Sequence, residues 1–237
     1  MNIIKLSRYA VELSMKCMRC FQLQYKHKIS LKTLPFTLNS AVDNLCKNEF
    51  DVYRAKAEPH PIFIEHDIDA VPFAHPEMDN WRNNFRGAYY EDKEKGFKFG
   101  GAVDDLWIKP DGKLIIADVK ATAKNIFDWE DTYSKYDYAK GYQRQLEMYQ
   151  WVYRKLGFEV ADEAYLVYFN GRKNEPMFYQ QLNFDLHVIK LECNDIWVED
   201  AIVKARSLLL QDQLPPSSES CEKCSYLKKR WQLAQKI

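Results

Sequence analysis

Three stretches of the chain carry apolar residues at the spacing of an α-helix. The first predicted helix ends near residue 53, and the stripe along it consists of Leu38, Val42, Leu45, Glu49 and Tyr53. The second covers about residues 139–156, and Gly157 ends it. The third covers about residues 195–210 and is followed by two prolines. The pattern predicts helices near the beginning, the middle and the end of the chain.

Strand-like runs fill the stretches between these helices. FKFGGAVDDLWI (97–108) and KLIIADVKAT (113–122) form a predicted hairpin with a Pro-Asp-Gly turn. AYLVYF (164–169) predicts a buried strand, and MFYQQLNF (177–184) is its expected hairpin partner. Four prolines predict an irregular region at 58–97. The order helix, strands, helix, strands, helix indicates a mixed α/β domain.

Composition and charge exclude several classes of protein. Of 237 residues, 46% are hydrophobic, which is enough for a sizeable core. The 34 Lys and Arg are balanced by 34 Asp and Glu, so a heavily basic nucleic-acid coat is excluded, although a local basic groove is not. No apolar run approaches the ~18 residues of a membrane-spanning helix, and the first residues lack the apolar core of a secretory signal. We therefore expect a cytoplasmic protein without a membrane partner.

The predicted hairpin brings two carboxylates together, and the length of its turn decides which two. A three-residue loop, 110–112, places Asp104 opposite Asp118. A two-residue loop, 111–112, places Asp105 there instead. Like charges directly opposite each other are unfavourable unless a cation lies between them. Either register therefore predicts a cation site, unless the acids are solvated or paired with nearby lysines.

Lys120 adds a catalytic group to this pair of acids. Side chains alternate along a strand, so Asp118 and Lys120 point to the same face. Mg²⁺ binds carboxylate and water oxygens and usually keeps open positions for phosphate. A lysine beside it can orient or deprotonate the attacking water and stabilise phosphate charge.

The order of these motifs resembles the PD-(D/E)XK nuclease superfamily. G-x-x-D lies at residues 101–104 and D-x-K at 118–120. Gln145 and Tyr149 form Q-x-x-x-Y, the additional motif of the RecB-like branch, which includes CRISPR-associated and helicase-linked nuclease domains. The resemblance extends from Cys17 to Cys224 and implies a restriction-endonuclease-like core with a mixed central sheet flanked by helices.

The resemblance also implies a role for each motif residue. It selects Asp104 over Asp105, and it makes Asp104, Asp118 and the Val119 carbonyl ligands of Mg²⁺ or Mn²⁺. Lys120 becomes the catalytic lysine. Gln145 and Tyr149 would help to hold the nucleic acid or the site, although Tyr149 also suits a core position.

An upstream helical residue completes the metal site in this branch. The segment LNSAVDNL (38–45) resembles it and places Asp43 at the ligand position. Glu49 is the alternative, because an acid within the stripe of the first helix also needs a partner. We expect Asp43.

Two C-x2-C pairs lie at opposite ends of the chain, Cys17 with Cys20 and Cys221 with Cys224. Together they supply the four ligands of a zinc ion or an iron–sulfur cluster, and sharing one metal would join the terminal segments. The RecB-like resemblance implies a [4Fe–4S] cluster, with one cysteine before the core and three after it. No cysteine lies near Arg230, where that pattern expects one, so zinc and unliganded thiols stay as alternatives.

The leading interpretation is a divalent-metal-dependent DNA nuclease, an exonuclease or a single-strand end-processing enzyme. The alternative is a catalytically silent nucleic-acid-binding module on the same fold, with a structural four-cysteine site. We expect one nuclease-like domain over residues 1–237, with a core at about 36–190 and cysteine-bearing ends at 1–35 and 191–237. No P-loop motif is present, so a helicase would have to be a separate partner. The oligomeric state stays open.

Overall fold

The computed structural model describes residues 2–30 and 37–235. The helices are α1 (Arg8–Lys16), α2 (Met18–Tyr25), α3 (Thr37–Lys56), α4 (Pro61–Glu65), α5 (Met78–Trp81), α6 (Trp129–Lys135), α7 (Asp137–Lys155), α8 (Val198–Leu210) and α9 (Glu222–Ala234). The strands are β1 (Ile4–Ser7), β2 (Val71–Pro72), β3 (Ala88–Asp92), β4 (Phe97–Gly101), β5 (Asp105–Ile108), β6 (Leu114–Thr122), β7 (Val160–Gly171) and β8 (Phe184–Glu192). The mixed α/β prediction is confirmed.

A five-stranded mixed sheet with the order β2-β5-β6-β7-β8 contains the predicted hairpin, which consists of β5 and β6. β6 and β7 are parallel, and α6 and α7 form the long crossover that parallel neighbours require. β6 is buried from Leu114 to Val119 because it lies between two strands and contacts both α3 and α7. This strand is the centre of the core, and its far end carries Asp118 and Lys120.

The chain divides into two compact units. One comprises residues 1–34, 91–99 and 197–237, and the other comprises 35–90 and 100–196. The second unit contains the five-stranded sheet, α3 and α7. In the first unit, α1 contacts α2 and α8, and Gln22 of α2 donates hydrogen bonds to the carbonyls of Leu208 and Gln211. The expectation of a single nuclease-like domain over residues 1–237 stays a prediction.

The run 97–108 is not one strand, as the sequence pattern suggested. β4 belongs to a three-stranded sheet with the order β1-β4-β3, whereas β5 belongs to the five-stranded sheet. A Cβ on Gly100 would lie 1.9 Å from the carbonyl oxygen of Ala88, so only glycine permits this approach to β3. The chain leaves the first sheet at Gly101 and enters the other at Asp105, directly after Asp104.

One other assignment from the sequence is wrong. The antiparallel partner of β7 is β8, from Phe184 to Glu192, and not residues 177–184. Residues 172–183 form the connection, in which Tyr179 and Gln180 have positive φ angles and cannot continue a strand. The predicted irregular region, 58–97, contains α4, β2, α5 and β3.

The buried face of α3 is also different from the predicted stripe. Val42, Cys46 and Phe50 face the core, whereas Leu38 and Leu45 are 62% and 68% exposed. The buried residues continue at i, i+4 from Val42 to Cys46 and Phe50, whereas the predicted stripe steps by three residues from Val42 to Leu45 and so leaves the buried face.

Candidate active site and cysteine cluster

The register of the hairpin places Asp104 opposite Asp118. Asp105 pairs with Ala117, and the Lys109 N–H donates to the Lys113 carbonyl at 3.0 Å. Residues 110–112 are therefore a three-residue loop, closed by Gly112 at a φ of +86°. The three-residue register is confirmed. Continued by one residue beyond the pair of Asp105 and Ala117, it places Asp104 opposite Asp118.

Asp105 belongs to a different network on the other face of the sheet. Both of its carboxylate oxygens accept hydrogen bonds from Arg54 Nη2 at 2.8 Å, and Arg82 Nη1 lies 3.8 Å from Oδ2. The side chain of Asp105 is fully buried. Arg54 and Arg82 also bind Asp51, so these residues form a closed set of ion pairs that joins α3 to β5.

Asp104 and Asp118 are held from different sides. Asp104 Oδ2 accepts a 2.9 Å hydrogen bond from the Val119 N–H. Asp118 Oδ1 accepts a 2.6 Å hydrogen bond from Gln145 Nε2, and Oδ2 forms an ion pair with Lys120 Nζ. Each acid therefore has one oxygen fixed by a neutral donor and the other directed towards a lysine.

Burial and charge act in opposite directions on these acids. Burial is the largest influence on the pKa of Asp118 and raises it, Lys120 lowers it, and Asp104 raises it. The net result is a pKa of about 7. Burial also raises the pKa of Asp104, but Lys120 and Lys47 outweigh it and hold that pKa below its usual value. The ionised forms of these two neighbouring acids therefore depend on nearby cations for their stability.

Gln145 and Tyr149 lie on the face of α7 that packs against the sheet. Gln145 is buried and orients Asp118 through the hydrogen bond described above. Tyr149 is also buried, and its hydroxyl donates to the carbonyl of Ala102, two residues before Asp104. Gln145 therefore contacts Asp118 directly, whereas Tyr149 contacts the backbone before Asp104 and lies within the core.

Asp43 approaches Asp104 through a lysine that the sequence analysis did not single out. Lys47 Nζ lies 2.7 Å from Asp43 Oδ2 and 3.5 Å from Asp104 Oδ1. Asp43 Oδ1 is buried and has no hydrogen-bond partner among the described residues. We call Asp43, Asp104 and Asp118, with Lys47 and Lys120, the acidic cluster.

Glu49 lies outside the acidic cluster and is bound elsewhere. Its side chain is 60% exposed and pairs with His60 Nε2 at 3.1 Å. Glu49 is thus not embedded among apolar residues as the predicted stripe implied.

The four cysteines of the two C-x2-C pairs come together within one compact unit. Their sulfur atoms all lie within 4.8 Å of one another. The shortest separations are 3.5 Å from Cys20 to Cys224, 3.6 Å from Cys20 to Cys221 and 3.9 Å from Cys17 to Cys224. The predicted link between the N- and C-terminal segments is confirmed.

The pKa of Cys17 differs from those of the two cysteines outside the cluster. Burial raises the pKa of Cys17, but hydrogen bonds from the backbone of Cys20 and Ser218 outweigh it and lower the pKa to about 7. Cys46 and Cys193 are single buried thiols, and burial raises the pKa of each.

Comparison with known protein families gives a match that contains the acidic cluster. The family model of the PD-(D/E)XK nuclease superfamily matches residues 38–228, a range that contains the acidic cluster and the second cysteine pair. No curated protein matches the sequence.

Similar solved structures include exonucleases of low sequence identity. One is an alkaline exonuclease (LHK-Exo) from Laribacter hongkongensis, with 13% identity, coverage of 97% of this chain and 94% of that chain, and a TM-score of 0.41. Another is a phage-related exonuclease from Haemophilus somnus 129PT, with 10% identity, coverage of 81% and 78%, and a TM-score of 0.44.

Proposed function

Because this chain belongs to the PD-(D/E)XK nuclease superfamily, we propose that it is a divalent-metal-dependent nuclease that hydrolyses phosphodiester bonds in DNA. The observation that carries the proposal is the intact set of Asp104, Asp118 and Lys120 at one end of the hairpin. A silent binding module has no need of a lysine and two acids in this arrangement, which is costly to bury. The Q-x-x-x-Y motif supports an end-processing enzyme of the RecB-like branch.

The residues present fit a hard divalent ion. Asp104, just before β5, and the buried Asp118 of β6 supply carboxylate oxygens at opposing positions of the hairpin, where two like charges need a cation. Within a strand, the N–H and C=O groups of one residue point towards the same neighbouring strand. Since the Val119 N–H points towards Asp104, the Val119 carbonyl also faces this side.

Each residue of the chain then has a defined task. Mg²⁺ or Mn²⁺ would be held by Asp104, Asp118 and the Val119 carbonyl, and it would supply a Lewis acid and an acidified water molecule. Gln145 fixes the orientation of Asp118, and Tyr149 fixes the backbone before Asp104. The Lys120 ammonium is a hydrogen-bond donor that orients the attacking water and stabilises negative charge on the phosphate.

α9 supports DNA as the partner. None of the described residues in α9 is buried, and Tyr226 and Trp231 expose their rings. The same helix carries consecutive basic residues from Lys228 to Arg230. Basic side chains bind phosphates and exposed rings stack on bases, which is a combination typical of single-strand binding.

Among the described helices, none is long and apolar enough to cross a membrane.

The proposed activity can be tested with end-labelled single- and double-stranded DNA. We expect cleavage with Mg²⁺ or Mn²⁺ and none in EDTA, because the acidic cluster lacks a strong electrophile of its own. Release of labelled mononucleotides would identify an exonuclease, whereas longer fragments would identify internal cleavage. DNA binding without cleavage in every metal would favour the silent module instead.

For the cysteine cluster we propose a single structural zinc ion. Four Zn–S bonds of about 2.3 Å in a tetrahedron place the sulfurs about 3.8 Å apart; three of the observed separations are 3.5 to 3.9 Å, and all of them are within 4.8 Å. A four-iron cluster binds each thiolate through a different iron and holds the sulfurs farther apart. The spacing therefore supports zinc over the [4Fe–4S] cluster that the RecB-like resemblance implies.

Metal analysis of the purified protein tests this assignment. We expect colourless protein with one zinc per chain. Cys221→Ser should lower both the zinc content and the melting temperature, because the metal joins segments distant in sequence. Cys193→Ala is the matched control: it removes a buried thiol outside the cluster and should keep the zinc. Brown protein that contains iron and no zinc would contradict the assignment.

A further inference from the structure

Lys47 lies between two acids that come from distant parts of the chain. Its amine contacts Asp43 one helical turn away on α3, and it also reaches Asp104 directly before β5. An ordinary i, i+4 pair on a helix surface has no second partner and stays solvated. The side chain of Lys47 is only 16% exposed, so its ammonium group is a partly buried cation between two carboxylates.

The three acids do not converge on one point, as they would around a shared ion. Among the described residues, the cysteines form a set whose ligand atoms lie within 4.8 Å of one another, and Asp43, Asp104 and Asp118 do not form such a set. Asp43 directs Oδ2 at Lys47, while its other oxygen has no described hydrogen-bond partner. Asp43 is thus committed to a lysine in this structure, and not to the pair of acids on the hairpin.

The charges of the acidic cluster leave room for one divalent ion. Three carboxylates face two ammonium groups, Lys47 and Lys120, which leaves a single negative charge. One divalent ion together with one phosphate group of DNA brings this total to neutral. A second divalent ion would add two positive charges next to a buried lysine, which is strongly unfavourable at short distance.

We propose that Lys47 is a built-in cation that takes the place of a second metal ion, so that the site binds one divalent ion at Asp104, Asp118 and the Val119 carbonyl. Lys47 is a positioning residue: it holds Asp104 towards Asp43 and keeps Asp43 from binding metal. The inference rests on the proposed nuclease function and deepens it, because it fixes the number of ions that the site uses.

The number of bound Mn²⁺ ions tests this role without any measurement of activity. Full-length protein with its cysteine site loaded is titrated with Mn²⁺, and the free ion is followed by its electron paramagnetic resonance signal. Thiolates are soft ligands and do not compete well for this hard ion. We expect one Mn²⁺ per chain in the wild type and in Lys47→Arg, and two in Lys47→Met, because Asp43 and Asp104 are then free to bind a second ion.

Two further variants make the result specific. Adding Asp43→Asn to Lys47→Met should restore one Mn²⁺, because the second ion then lacks a ligand. Lys135→Met is the matched control: it also removes the lysine of an i, i+4 Asp–Lys pair, but from the exposed surface of α6, and it should leave one ion.

Each outcome decides between the alternatives. Two ions in the wild type, or one ion in folded Lys47→Met, would overturn the role of Lys47 and leave the proposed nuclease function intact. Should Lys47→Met fail to fold, the wild-type count decides alone: one ion supports the role, and two overturn it. No bound Mn²⁺ in the wild type would contradict the proposed function itself.

Discussion

Lys120→Met is expected to lower the single-turnover rate of DNA cleavage by roughly 10²- to 10⁴-fold while the protein stays folded and still binds Mn²⁺. The side chain of Lys120 ends beside Asp118, where its ammonium can contact both the attacking water and the phosphate. Methionine has a similar length and no charge, so it removes these interactions without leaving a large cavity. The carboxylates that we propose as metal ligands are unchanged.

The matched control for Lys120→Met is Lys113→Met. Lys113 lies just before the same strand, in a half-exposed position, and pairs with Asp111 in the turn. Its replacement should leave the cleavage rate near that of the wild type. A Lys120→Met protein with full activity would show that this lysine takes no part in hydrolysis.

The second large effect distinguishes two adjacent acids. Asp104→Asn should abolish metal-dependent cleavage, because Asp104 faces Asp118 and Lys47, and asparagine lacks the charge that binds the ion. Asp105→Asn should instead destabilise the protein by about 3–5 kcal/mol, because it removes the fully buried carboxylate charge from Arg54 and Arg82, which then pair only with the more exposed Asp51 and Asp79.

Both quantities are measured on the same preparations, by denaturant unfolding and by the cleavage rate per folded molecule. The expected pattern is a stable, inactive Asp104→Asn and an unstable, active Asp105→Asn. The opposite pattern would place Asp105 in the acidic cluster and would contradict the register of the hairpin.

The sequence predicts the register of the hairpin well because that register is set locally. The Pro-Asp-Gly turn limits the pairing to two registers, and the alternation of side chains along β6 puts Asp118 and Lys120 on one face. The two cysteine pairs are recognisable for a similar reason, since each C-x2-C supplies two ligands by itself. The two pairs are expected to meet in space because a metal ion with four thiolate ligands needs both of them.

Features that depend on packing between distant segments are harder to predict. The spacing of Asp43 and Lys47 is visible in the sequence, but the contact of Lys47 with Asp104 requires the position of α3 against the sheet. The buried face of α3 and the partner of β7 were assigned wrongly for the same reason. Local apolar spacing does not specify which of several faces or strands finds a partner.

The most direct measurement is the cleavage of end-labelled DNA by wild-type protein and by Lys120→Met, each with Mg²⁺ and with EDTA. We expect cleavage only by the wild type with Mg²⁺, because the proposed mechanism requires both a metal ion at Asp104 and Asp118 and the ammonium of Lys120. Equal cleavage by both proteins, cleavage that persists in EDTA, or no cleavage of any DNA by metal-loaded wild type would contradict the proposed nuclease mechanism.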